Sequence, residues 1–221
     1  MSHDDFDVEP VPGLPAHLPK GETMLWQGRP DWKTIAVRVF HVRLIAIYFA
    51  VLALWRVTVI AQNGGTLADI AVSVAILAAL AAGAIGIFST WAYFIGRTTI
   101  YTITSRRLVF RFGVALPVTV NLPYSAIDGA ALKVRGNGIG DIPLVITEKQ
   151  RVSYVLMWPH ARPWRLAHPQ PMLRAIPDAA GVAALLAKAY SASTPARLTL
   201  NDTETAPTAV ASDGRLSPVA G

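Results

Sequence analysis

Two long apolar runs, separated by Gln62, Asn63, Gly64 and Gly65, constrain this chain more than anything else in it. The first starts near Val39 and continues to Ala61, interrupted by Arg43 at its edge and Arg56 towards its far end. The second, residues 70–95, carries no charge. Crossing a bilayer's hydrocarbon takes roughly 20 residues of apolar helix, and core helices of water-soluble domains seldom stay apolar on every face for that length. Both runs therefore read as membrane spans. Backbone groups in hydrocarbon must find partners within their own segment, so residues 39–96 are expected to form a two-helix transmembrane hairpin with a Gly-rich turn.

Lys20, Arg29, Lys33, Arg38 and Arg43 precede the first run, and Arg97, Arg106, Arg107 and Arg111 follow the second. The turn has neither Lys nor Arg, only Asp69 beside it. Positive charge in short flanks stays cytoplasmic, which puts both termini of a bacterial inner-membrane protein on the cytoplasmic side. Residues 1–19 are acidic and Pro-rich, the reverse of a basic start followed by an apolar stretch, so no cleavable signal is expected and residues 1–20 read as an unstructured leader.

Within the second run, Ala75, Ala79 and Gly83 recur every four residues, as do Ala78, Ala82 and Gly86. Small residues at this spacing let helix backbones approach closely, a main source of association in lipid. Packing against the first run is the simplest use of this ridge; a partner's helix, or one from a second copy, is the alternative. Arg56 is close enough to the run's end to extend to the interface, or it pairs with a group on a partner inside the membrane. Trp91 belongs to an aromatic belt at the exit of the second run. Trp26 and Trp32, in the juxtamembrane segment 21–38, fit either the headgroup layer or a short strand packed on the cytoplasmic domain. A helix starting at Pro30 and Asp31 is expected to continue unbroken into the first span.

Beyond Gly96 the period changes from helical to alternating. Leu108, Phe110 and Phe112 share one face of a strand and Arg107 and Arg111 the other, and residues 99–104 form its hairpin partner. Further strands are expected at 118–122, 127–134, 142–147, 152–158 and 162–166, each bounded by Gly, Pro or Asn. Pro177 and Asp178 then start a helix over 179–190. Seven short strands and a closing helix over residues 97–190 give the order of a pleckstrin-homology-like domain, followed by an unstructured tail over 191–221.

The run from Tyr101 to Gly113, with Leu122, Pro123, Tyr124, Ser125, Ala126 and Ile127 downstream, resembles the bacterial pleckstrin-homology pattern found after membrane hairpins. Glu9 to Pro15, Leu25 to Trp32 and Phe40 to Phe49 are similar to the PuhB family, the photosynthetic complex assembly proteins of purple bacteria. That resemblance implies a non-enzymatic factor that helps to build the reaction centre and its core light-harvesting ring (LH1). Its partners would be reaction-centre and LH1 subunits and membrane lipids. It also implies a third membrane span, for which this sequence has no run of sufficient length. His41 is a candidate ligand for the magnesium of bacteriochlorophyll, although a lone interfacial His is more commonly hydrogen-bonded or solvated, and no cofactor is expected.

Catalytic chemistry finds little support. The five His are dispersed, Ser125 and Asp128 lack a neighbouring base, and the absence of Cys removes thiolate nucleophiles and thiolate metal sites. Residues 136–141 are Gly-rich but precede a strand and lack a Gly-Lys-Ser/Thr sequence, which makes a hairpin turn rather than a phosphate loop. The net charge of +6 fits anionic lipid, with Arg106, Arg107, Arg111, Lys133 and Arg135 as a basic patch turned to the membrane or as a solvated strand face. Nothing resembles the interleaved basic and aromatic platform of a nucleic-acid binder. The alternative to an assembly factor is a membrane-anchored lipid-sensing module.

Overall fold

The computed structural model describes residues 13–14, 16–114, 116–147 and 152–193. Thr66 starts the second apolar run: its hydroxyl accepts from the Asp69 N–H, while the Asp69 carboxylate accepts from the Thr66 N–H and hydroxyl. This reciprocal cap satisfies donors that a first helical turn leaves open. The helix it starts, α3 (Leu67–Thr98), packs along α2 (Val42–Gln62), and a tight turn joins them. Both helices are long and apolar enough to cross a membrane, and no residue of their most apolar stretches is buried within the chain.

The expected continuous helix from Asp31 into the first run does not form. Asp31 does cap a helix, α1 (Trp32–Arg38), by accepting from the Thr34 N–H at 2.8 Å, but the chain then turns at residues 39–41 before α2 begins. His41 takes the left-handed conformation there, with φ 53°. The reason is packing: Ile35 and Ala36 of α1 are buried with Ala92 and Ile95 of α3, and Phe40 stacks on Phe88 at 5.6 Å between ring centroids. A straight helix would carry these groups past their partners.

Beyond α3, strands β2 (Ile100–Thr104), β3 (Arg107–Phe112) and β4 (Val118–Pro123) form an antiparallel meander, with β1 (Met24–Gly28) added at the edge of β2. The expected hairpin is present, with Tyr101 opposite Phe110 and Ile103 opposite Leu108. A second sheet has β7 (Gly140–Ile146) at its centre, paired with β5 (Ile127–Ala130), β6 (Lys133–Val134) and β8 (Met172–Ile176). Helix α5 (Ala179–Ser193) packs Val182, Leu186 and Tyr190 into a core with Phe110, Leu122, Ile142, Leu144 and Leu173. The strands from β2 to β8 followed by α5 give the expected pleckstrin-homology-like order.

The membership of that order differs from the expectation. Residues 127–134 divide into β5 and β6, with a register shift between Ile127 and Gly129. Residues 152–158 are not a strand: Ser153 caps the single turn α4 (Tyr154–Met157), which ends at Trp158 and Pro159. Residues 162–166 are a loop, so the strand expected there is absent; the last strand is β8, in a stretch for which no strand was expected. Residues 1–12 of the leader lie outside the described residues, but Leu14 is buried, and a Cβ on Gly13 would come within 2.5 Å of Ile100. This part of the leader therefore lies against β2 rather than free of the fold. Residues 191–193 complete α5, and the rest of the expected tail lies outside the described residues.

Candidate functional site

Successive residues turn about 100° around a helix, which divides α3 into two faces. Ser73, Val74, Leu77, Ala81, Ala84 and Ile85 are partly covered, forming the stripe that meets α2. Ala75, Ala78, Ala79, Ala82, Gly83 and Gly86 are all exposed and lie round the other side. A Cβ added at Gly83 or Gly86 would meet nothing within 4 Å. The small-residue ridge thus does not pack on the first run; the partly covered stripe, in which Val74, Leu77 and Ile85 alternate with Ser73, Ala81 and Ala84, takes that side of the helix. The ridge leaves a smooth apolar face uncovered.

At the other end of α3 a helical neck joins the hairpin to the β-domain. Gly96 lets α1 approach so closely that a Cβ would lie 2.8 Å from Trp32 Cβ. Trp32 meets Tyr93 edge to face at 5.8 Å, and the Tyr93 hydroxyl accepts from Arg97 at 2.8 Å. The N–H of Asp31 donates to the carbonyl of Ala175 in β8 at 2.8 Å, so the same short helix touches both the hairpin and the second sheet. Of the two readings for Trp26, the strand is the one observed: it lies in β1, opposite Ile103, partly buried against the main core.

Thr99, the residue that ends α3, belongs to a buried polar network that the dispersed His positions did not suggest. Its hydroxyl lies 3.1 Å from His160 Nε2, while His160 Nδ1 lies 2.6 Å from the Tyr101 hydroxyl. Tyr101 also accepts from the Arg174 N–H at 3.3 Å, and the Arg174 guanidinium donates to the Pro159 carbonyl at 2.7 Å. Burial, then the Arg174 charge, pushes the His160 pKa down to about 3, and burial raises the Tyr101 hydroxyl well above its ordinary value. Both groups are neutral at physiological pH and act as hydrogen-bonding struts. The only sequence signal would have been that His160 follows Pro159 between apolar neighbours.

The proposed basic patch is not gathered on one face. Arg106 and Arg107 sit at the end of β2 and β3 furthest from α3, where Arg107 pairs with Glu22 at 2.9 Å. Burial opposes ionisation of Glu22, but hydrogen bonds from Thr104 and Arg107 outweigh it and hold its carboxyl below the ordinary value. Arg135 is ion-paired with Asp141. Arg111, opposite Ile100, is the member of the set placed near the α3 exit. Arg43 and Trp91 are exposed, on the first turn of α2 and near the end of α3. Arg56 borders an open cleft near the interhelical turn, shared with Asn63, Asp69 and Ser73. His41 is exposed, and its Nδ1 lies 3.0 Å from the Val39 carbonyl.

Comparison with known proteins follows this architecture. The model of a family described as "Bacterial PH domain" matches residues 37–190, taking in the hairpin as well as the β-domain. An uncharacterized 23.7 kDa protein in the puhA 5′ region of Rhodobacter capsulatus is 39% identical over 193 residues, covering 87% of this chain and 90% of that one. The crystal structure of a DUF1696-family protein with a pleckstrin-homology domain, from Shewanella loihica PV-4, aligns with 42% of this chain and 71% of its own. There the identity is 16% and the TM-score 0.28. A hairpin of two long apolar helices continuing through Thr99 into a β-domain closed by α5 is the arrangement that the family match spans, and the chain belongs to the bacterial PH domain family.

Proposed function

We propose that the protein is a non-enzymatic, membrane-tethered assembly factor for the photosynthetic reaction centre and its LH1 ring. In this reading α2 and α3 cross the bacterial inner membrane with both termini on the cytoplasmic side, since Lys and Arg flank the hairpin and are missing from its turn. The observation that carries the reading is the ridge of Ala75, Ala78, Ala79, Ala82, Gly83 and Gly86, turned away from α2 and uncovered along its length. Lipid tails gain little from such a face, whereas a client helix can bring its backbone close against it. The similarity of residues 9–49 to assembly proteins of purple bacteria supplies the client class, and the relative named for the puhA 5′ region supports it.

The neck gives this docking a direction. A client held on α3 lies at a set distance from the β-domain, which is then available to cytoplasmic segments of the same client. The rival reading, a lipid-sensing module without a client, draws less support, because Arg107 and Arg135 are occupied by Glu22 and Asp141. Deleting the protein should lower the amount of assembled core complex while pigment synthesis continues. Normal core-complex levels in the deletion strain would sink the proposal.

A further inference from the structure

Residues 152–168 carry a set of apolar side chains that the core does not use. Met157 is fully buried, but its neighbours Val155 and Leu156 are exposed, Val155 at 83%. Trp158 is half exposed, and Trp164, at the far end of the following loop, is 92% exposed. Trp164 adopts φ 65°, a conformation that costs a bulky residue energy, and yet its indole is not packed into the core of the described residues. The segment 152–170 contains Arg162 and Arg165 and no Asp or Glu.

The position of this surface is set by two ring contacts. Trp158 meets Phe40 edge to face at 6.0 Å, and Phe40 stacks on Phe88 of α3 at 5.6 Å. From Leu67 to Phe88 the helix rises about 32 Å at 1.5 Å per residue, close to the roughly 30 Å of a bilayer's hydrocarbon. Phe88 and Phe40 therefore mark the level at which α3 leaves the apolar layer, and Trp158 lies at that level too. Exposed Trp and aliphatic side chains beside Arg, with no acidic residue among them, match the chemistry of an anionic headgroup layer.

We propose that the surface formed by Val155, Leu156, Trp158 and Trp164 enters the headgroup layer of the leaflet next to the β-domain, as a second, non-spanning membrane contact. The inference rests on the reading that α2 and α3 span the membrane. It is independent of the photosynthetic client, and it holds the β-domain down on the bilayer beside the neck rather than upright above it.

The chain has no Cys, so single cysteines can be introduced without a background. Full-length Val155→Cys, Trp164→Cys, Leu54→Cys and Ser125→Cys would each be labelled with an environment-sensitive fluorophore. They would then be reconstituted into phosphatidylglycerol and phosphatidylethanolamine vesicles with a nitroxide high on the acyl chain. Positions 155 and 164 should be quenched at least twofold, like position 54 in α2, whereas position 125, beyond the end of β4 remote from the neck, should not. Unquenched label at 54 would overturn the membrane reading itself. Quenching at 54 with water-like emission at 155 or 164 would overturn this inference alone. So would shielding of 155 and 164 that occurs only when core-complex proteins are added, which would make the surface a protein-docking site.

Discussion

The Tyr101 hydroxyl lies 2.6 Å from Nδ1 of a His160 ring whose Nε2 faces Thr99 at 3.1 Å. With the Tyr101 oxygen already accepting from the Arg174 N–H, the arrangement is satisfied if Tyr101 donates to Nδ1 and the proton of the neutral imidazole sits on Nε2, donating to Thr99. The residue that caps the end of a long apolar helix is thereby hydrogen-bonded to the loop that follows α4. Residues 99–101 and the loop carrying His160 meet at one imidazole, and Arg174 of β8 joins them through Tyr101 and Pro159.

Acid should therefore weaken the β-domain early. His160 titrates near its ordinary pKa of about 6.5 when unfolded and near 3 when folded, so unfolding takes up a proton between those values. The stabilisation is complete above pH 6.5 and is lost as pH falls towards 3, at about 1.4 kcal/mol per pH unit within the window. Thermal unfolding in detergent micelles should show about 2 kcal/mol less stability at pH 5 than at pH 7, and His160→Gln should flatten that slope. An unchanged slope in the variant would show that another group is responsible.

The Glu22 and Arg107 pair should act in a window that opens at lower pH than that of His160 and overlaps its acidic end. The carboxyl of Glu22 is held below its ordinary value, so its contribution is present above about pH 4.5 and is lost as pH falls through the folded value. Glu22→Ala leaves the Arg107 guanidinium and the Thr104 hydroxyl without their acceptor and should cost about 1–3 kcal/mol, read as a lower denaturation midpoint at neutral pH.

Gly96 and Gly83 lie in the same helix and should respond in opposite ways. Gly96→Ala forces apart α1 and α3 where Trp32 already touches, and should destabilise by about 1–3 kcal/mol. Gly83→Leu meets open space and should leave the unfolding midpoint where it is. If the ridge receives a client helix, Gly83→Leu should instead abolish co-purification of reaction-centre or LH1 chains from photosynthetically grown cells. Retained co-purification would remove the ridge from the mechanism.

His41 should prove to be a conformational residue. It is exposed and left-handed at the turn between α1 and α2, a geometry that costs most residues roughly 1–2 kcal/mol and glycine almost nothing. His41→Gly should be neutral or mildly stabilising, and His41→Val destabilising. A purified protein that carries bacteriochlorophyll and loses it on His41→Gly would contradict this.

The apolar runs could be read directly because length and the absence of charge are properties of the chain itself. The alternation of Leu108, Phe110 and Phe112 was legible for the same reason, since a core-facing strand writes its period into the sequence, although Val109 on the other side is buried as well. Residues 152–158 have the β-rich composition of a strand, but Ser153 caps a helical turn there, a local hydrogen bond that composition does not reveal. The strand Met172–Ile176 was missed although Pro171 and Pro177 bound it and most of its residues are apolar. The direction of the small-residue ridge could not be read at all. Which face of α3 meets α2 is decided by shape matching between two apolar helices, and spacing alone leaves both faces eligible.

Because α3 runs without a break from the Thr66 cap to Thr99 and hands over at once to β2, the molecule contains a stiff rod some 48 Å long at 1.5 Å per residue. Tilting such a rod in lipid cannot be absorbed by a linker, for none exists at that joint. If the hairpin spans a bilayer as proposed, a change in bilayer thickness, or a neighbour that leans on the hairpin, swings the β-domain with the rod, and the chain then works as a lever with its fulcrum at the membrane surface.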